Sequence, residues 1–195
     1  HIREMDQDER DPPVIFMKPP DAIVRNGGEI PYPVFTNNFH YECELVVALK
    51  SGGYNIPEVE AAKHIFGYAV GLDMTRRDHQ AAALAKGLPW EVTKGFDHSA
   101  PVGPVTRVED TGVMTTGHVQ LQVNGETRQD ADISLLIWTI DEIIAKLSQQ
   151  HKLTSGDIIM TGTPAGVGPV VTGDVLDCSV DGLAPMQVRI GGPAA

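Results

Sequence analysis

Glu42 and Glu44 flank Cys43 at the head of an apolar run, residues 45–49 (LVVAL). Side chains alternate across a strand, so the two carboxylates share one face while Cys43 and Leu45 share the other. Two carboxylates a few ångströms apart on such a strand repel each other and are costly to desolvate unless a cation lies between them. A solvated strand edge would also accept them. Asp73 adds a third acid, ending the apolar segment 68–72 just before Thr75, where a strand gives way to a helix; a helix N-cap is its plainer reading. Together Glu42, Glu44 and Asp73 form an all-oxygen set that suits a hard cation, Mg2+, Mn2+ or Ca2+, and argues against Zn2+, for which Cys and His would be expected.

Arg76, Arg77 and Gln80 follow on the predicted helix. Residues three apart lie on one helix face, so Arg77 and Gln80 point together toward the Asp73 end, while Arg76 faces elsewhere. An arginine beside three carboxylates makes a structural ion pair or holds an anionic substrate bidentately. The loop 162–168 (GTPAGVG) lacks the Gly-Lys-Ser/Thr ending of a phosphate loop, which excludes a nucleotide reading; its backbone N–H groups and the Thr163 hydroxyl could bind a carboxylate, or the glycines could serve a tight turn. His1 stands three residues before Glu4, a spacing that on a helical turn lets a carboxylate orient an imidazole as general base. Taken alone, His1, Glu4 and Lys94 read as solvated residues. His40 and His98 are candidates for an outer shell, and His64, His79, His118 and His151 for surface or packing positions.

These groups need elements to position them. Strands are expected over 43–50, before the turn Ser51-Gly52-Gly53, and over 157–160. Residues 14–17 form a short apolar run before Lys18-Pro19-Pro20. Helices are expected over 57–65, over 75–86 with Thr75 as N-cap and Gly87 past the end, and over 140–149 behind Thr139. Residues 119–123 run into Asn124-Gly125, a two-residue hairpin signal, and 175–180 and 186–190 flank Asp181-Gly182 as a second hairpin. The pattern is β-rich without regular βαβ units, which predicts an α+β mixed β-sandwich or roll over a doubly wound sheet. The 195 residues fit one domain, with 1–13, polar and closed by Pro12-Pro13, as a mobile arm or a short helical segment. Fifteen Lys and Arg against 26 Asp and Glu give a net charge of −11, which opposes a nucleic-acid partner. No apolar run is long enough to span a bilayer, and two cysteines without a C-x-x-C pattern read as reduced thiols of a cytoplasmic protein.

The segments HIREM (1–5), FMKPPDAIV (16–24), HYECELVVAL (40–49), YAVGLDMTRRDHQ (68–80), PWEVTKGFDHSAPVGP (89–104), VNGETRQ (123–129) and GDIIMTGTPAGVGPV (156–170) together resemble the fumarylacetoacetate hydrolase family. The resemblance implies a β-rich mixed sandwich or roll, usually homodimeric, holding Mg2+ or Mn2+ on Glu42, Glu44 and Asp73. It gives His1 and Glu4 the part of a lid H-x-x-E pair that activates water, makes Lys94 the active-site lysine, and places Arg77, Gln80 and Thr163 against substrate. The TRRD-Q and KPPDAIV forms look most like the branch that hydrolyses fumarylpyruvate and other acylpyruvates, and Arg76 would then meet the distal carboxylate of a small anionic oxo acid. Oxaloacetate decarboxylation and isomerisation or decarboxylation of a 2-hydroxy-dienedioate are the alternatives within the family. Members of this type carry a first strand before the lid histidine, so residues upstream of His1 are expected.

Overall fold

The computed structural model describes residues 12–193. The run 43–50 forms the strand Cys43–Leu49, buried throughout. Its odd-numbered side chains, Cys43, Leu45, Val47 and Leu49, enter the main core, whereas Val46 packs with Ala69 and Val102 in a smaller cluster. Burial on both faces is why this run is apolar almost without interruption rather than alternating. The strand pairs antiparallel with Ile65–Leu72 on one side and with the edge strand Ile158–Met160 on the other, in a six-stranded sheet.

A five-stranded sheet runs in the order Glu126–Asp132, His118–Val123, Val175–Val180, Met186–Pro193, Gly28–Tyr32. Its apolar side chains, among them Leu121, Leu176 and Val188, join Leu45, Tyr68 and Val70 of the first sheet in one buried core. This is the predicted β-rich α+β architecture. Asn124 and Gly125 have φ of 52° and 81°, as the tight turn between the first two of these strands demands. The second hairpin also forms, with Cys178 opposite Met186, but Asp181-Gly182 sits inside a longer connection.

Three helix expectations meet different outcomes. Ile140–Gln150 starts at Thr139 in a full capping box with Glu142 and buries Ile140 and Ile144. The segment 57–65 yields only Glu58–Ala61 and a 3-10 turn, Ala62–His64, because Ile65 is drawn into the core as the first residue of a strand. The third helix is Arg77–Lys86, not 75–86. Thr75 is no N-cap: Thr75–Arg76 pairs instead with Phe39–His40 in a three-stranded sheet, and no side chain caps the helix. That pairing lays Asp73, Thr75 and Arg77 beside the head of the Cys43–Leu49 strand.

Candidate metal centre and active site

Strand alternation brings Glu42 and Glu44 to one place, as expected, and the Asp73 N–H donates to the Glu42 carbonyl at 2.8 Å, fastening the end of the next strand alongside. Oxygens of Glu42, Glu44 and Asp73 lie within 4.8 Å of one another, all three residues buried. The solvated-edge and N-cap alternatives therefore give way to a buried acidic triad.

Buried carboxylates need partners, and three cations supply them. Lys94 Nζ donates to Glu42 Oε2 at 2.8 Å, Asp73 Oδ2 at 2.7 Å and Thr75 Oγ1 at 2.7 Å. Burial opposes charge on this lysine, but Asp73 and Glu42 outweigh it and its pKa stands above the ordinary value. Arg77 reaches Glu42 Oε1 at 2.5 Å and also donates to Gln80 Oε1. Burial pushes Glu42 up, yet Lys94 and Arg77 hold it below the usual carboxylate range. Lys18 is the third cation, and the sequence reading gave it no role. Its Nζ lies 2.7 Å from Asp73 Oδ1 and donates to the Met74 carbonyl at 3.2 Å and to the Lys94 carbonyl. Burial lowers its pKa against the pull of Asp73.

Glu44 differs from its neighbours. Among the described residues it has no ion pair, and it accepts only the Gly162 N–H, at 2.7 Å. Burial first, then the charges of Asp73 and Glu42, push its carboxyl up to about 8. Asp73 Oδ1 has the Lys18 ammonium, at 2.7 Å, as its one partner among the described residues. A buried carboxylate with no ion pair of its own among the described residues, in an oxygen-only cluster of this size, fits a hard divalent cation such as Mg2+ or Mn2+.

Thr163 stands beside the triad, but its hydroxyl is engaged: it donates to the Cys43 carbonyl at 2.9 Å and accepts from Gln129 Nε2 at 2.8 Å. Gln80 is buried with its carbonyl taken by Arg77, leaving its amide N–H groups as donors. His40 links the site to the preceding loop, accepting from Arg77 Nε at 3.4 Å and meeting Asn38 Oδ1 at 2.8 Å; burial and then Arg77 push its pKa down to about 4. His98 is exposed. Arg76 touches none of the triad: its guanidinium lies 4.3 Å from the Phe96 ring centre and donates to the Val92 carbonyl at 3.3 Å. His1 and Glu4 lie outside the described residues. Both cysteines are buried free thiols.

Residues 1–191 match the family described as fumarylacetoacetate (FAA) hydrolase C-terminal. The chain is 42% identical over 176 residues to the fumarylpyruvate hydrolase of a Ralstonia species, covering 90% of this chain and 91% of the relative. It is 38% identical over 193 residues to the mitochondrial oxaloacetate tautomerase of Mus musculus, covering 97% and 86%. Among solved structures, the fumarylpyruvate hydrolase from Pseudomonas aeruginosa in complex with Mn2+ and pyruvate is similar at a TM-score of 0.95 and 46% identity, over 98% of this chain and 84% of that one.

Proposed function

The chain belongs to the fumarylacetoacetate hydrolase family, and from that premise we propose that it is a metal-dependent hydrolase cleaving a carbon–carbon bond of an acylpyruvate, with fumarylpyruvate as the substrate and fumarate and pyruvate as products. The observation that carries the reading is the buried triad of Glu42, Glu44 and Asp73, whose Glu44 lacks a cation of its own among the described residues. Its likeness to an enzyme crystallised with Mn2+ and pyruvate supports the same assignment. Held by these three carboxylates, Mg2+ or Mn2+ would supply Lewis-acid polarisation of a 2-oxo-carboxylate.

The chain's own residues have distinct tasks. His1, oriented by Glu4, takes a proton from the water whose oxygen bonds to the acyl carbonyl carbon. The carbon–carbon bond then breaks with its electron pair passing to pyruvate C3 as the enolate, which takes up a proton. Arg77 holds Glu42 in place, and the amide N–H groups of Gln80, unpartnered among the described residues, serve an anionic substrate. All three N–H bonds of Lys94 are committed to oxygens at 2.7–2.8 Å. The bond to the Thr75 hydroxyl, its one neutral partner, is the one it can exchange for an oxyanion, and a cation on the triad would loosen its hold on Glu42 and Asp73 as well. The reading needs no contact from Arg76.

The test is the loss of β-diketone ultraviolet absorbance on fumarylpyruvate. Chelated protein should be inert, with Mg2+ or Mn2+ restoring turnover; failure of both ions to restore it refutes the reading. The similarity to a mitochondrial tautomerase favours one second reading, oxaloacetate tautomerisation, which needs no attacking water. Formation of fumarate and pyruvate in equal amounts separates the two.

A further inference from the structure

Gln129 is the one buried residue of the strand Glu126–Asp132. The strand pairs with His118–Val123 through a bulge: Thr127 is opposite Gln122 and Gln129 opposite Leu121, so Arg128 is extra. Bulges re-aim side chains, and this one sends a polar amide into the interior. There it closes a ring of hydrogen bonds. The Cys43 N–H donates to Gln129 Oε1 at 3.0 Å, Gln129 Nε2 donates to Thr163 Oγ1 at 2.8 Å, and Thr163 Oγ1 donates to the Cys43 carbonyl at 2.9 Å. Gln129 Nε2 also donates to the Pro164 carbonyl at 2.9 Å.

Cys43 separates Glu42 from Glu44, so the ring seizes the peptide unit on each side of it. The bulge shapes the glycine loop as well. Gly166, at φ +94°, lies so near the Arg128 carbonyl that a Cβ would collide with it. From the same loop, Gly162 offers Glu44 its hydrogen bond. We propose that Gln129 is a positioning residue of the metal centre: through Cys43 and Thr163 it fixes the spacing of the Glu42 and Glu44 side chains and seats Gly162 against Glu44, while touching neither cation nor substrate. Thr163 belongs to the same device.

The inference rests on the metal reading of the triad, and two measurements on the full chain keep them apart. The first is Mn2+ binding by calorimetry to wild type, Gln129→Met, Thr163→Val and the double variant. Each single change should weaken Mn2+ by about tenfold or more, the usual effect of losing a group that orients ligands. The double variant should bind no more weakly than the weaker single, because either change opens the ring. Mn2+ affinity within about twofold of wild type in Gln129→Met, or single effects that multiply, overturns the proposal.

The second measurement is amide hydrogen exchange in the metal-free protein. Gln129→Met should speed exchange at Cys43 and Gly162 by about tenfold or more, with the Ile140–Gln150 helix unchanged. Unchanged exchange at both amides refutes the role of Gln129 whatever the metal does. Wild type that binds no Mn2+, with the exchange result as expected, refutes the metal reading and leaves the ring standing. Should Gln129→Met fail to fold, Thr163→Val reads the same ring by both methods.

Discussion

Glu44→Gln should stabilise the metal-free protein and at the same time abolish its response to metal. In the folded chain the Glu44 carboxyl is pushed from 4.5 up to about 8, by burial first and by Asp73 and Glu42 next. The folded state thus holds a proton that the unfolded chain has released, and the associated stability is complete below 4.5 and is lost as pH rises through about 8. At about 1.36 kcal/mol per pKa unit the gap sets a ceiling of roughly 5 kcal/mol. Relaxation around an ionised Glu44 reduces it, so at about pH 9 the variant should be more stable by about 1–3 kcal/mol, a rise of several degrees in midpoint temperature. Near pH 5 the wild-type group is itself neutral and the difference should nearly vanish. Saturating Mn2+ should invert the order, because a ligand that binds only the folded state stabilises wild type according to its affinity, and the amide is the poorer donor. The assay is thermal unfolding of both proteins in chelator and in Mn2+, at the two pH values. A variant that is less stable than wild type in chelator by the same amount at both pH values would show that Glu44 acts only as a hydrogen-bond acceptor, and the argument from uncompensated charge would fail.

Lys94→Met removes hydrogen bonds to Glu42, Asp73 and Thr75 and leaves Glu42 to Arg77 and Asp73 to Lys18; denaturant unfolding in chelator should show a loss of about 2–3 kcal/mol, and turnover should disappear. Gly71→Ala would drive a Cβ into Val46 and to 3.2 Å from Met160 Cε. Overpacking of this kind should cost about 1–3 kcal/mol in the same assay. Thr139→Ala breaks the capping box of the Ile140–Gln150 helix, which should cost about 1 kcal/mol while kcat stays at the wild-type value.

What the sequence discloses of this site depends on how local each signal is. Glu42 and Glu44 are legible because period two is a property of the strand itself, and Asp73 because it ends an apolar segment. The cap at Thr139 is equally local, and the structure completes it as a capping box with Glu142. Thr75 misleads because the competing partner, His40, is remote in sequence, and strand pairing with it wins over a cap. Lys94 closes a four-residue helix, Glu91–Lys94, whose position gives no hint of the carboxylates it meets; only the family resemblance marks it. Lys18 sits in an irregular stretch before two prolines and contacts Met74, 56 residues away. Gln129 was part of a recognised segment, yet its role depends on a bulge, and one extra residue in a ladder leaves no trace in periodicity.

The net charge of −11 describes the surface and misdescribes the site. Among the described residues around the triad, Lys18, Lys94 and Arg77 offset Glu42, Glu44 and Asp73 charge for charge once Glu44 ionises. A divalent cation entering that balanced set leaves it with two positive charges, in a buried place where Coulomb interactions are far stronger than in water. The complement of such a site is a dianion. A substrate with a 2-oxo-carboxylate at one end and a second carboxylate at the other meets that condition, whereas an acylpyruvate with an apolar acyl group leaves one charge unmatched. On this argument a dicarboxylate should be turned over with a higher kcat/KM than an acylpyruvate whose acyl group is apolar, and equal values on the two would refute the charge argument.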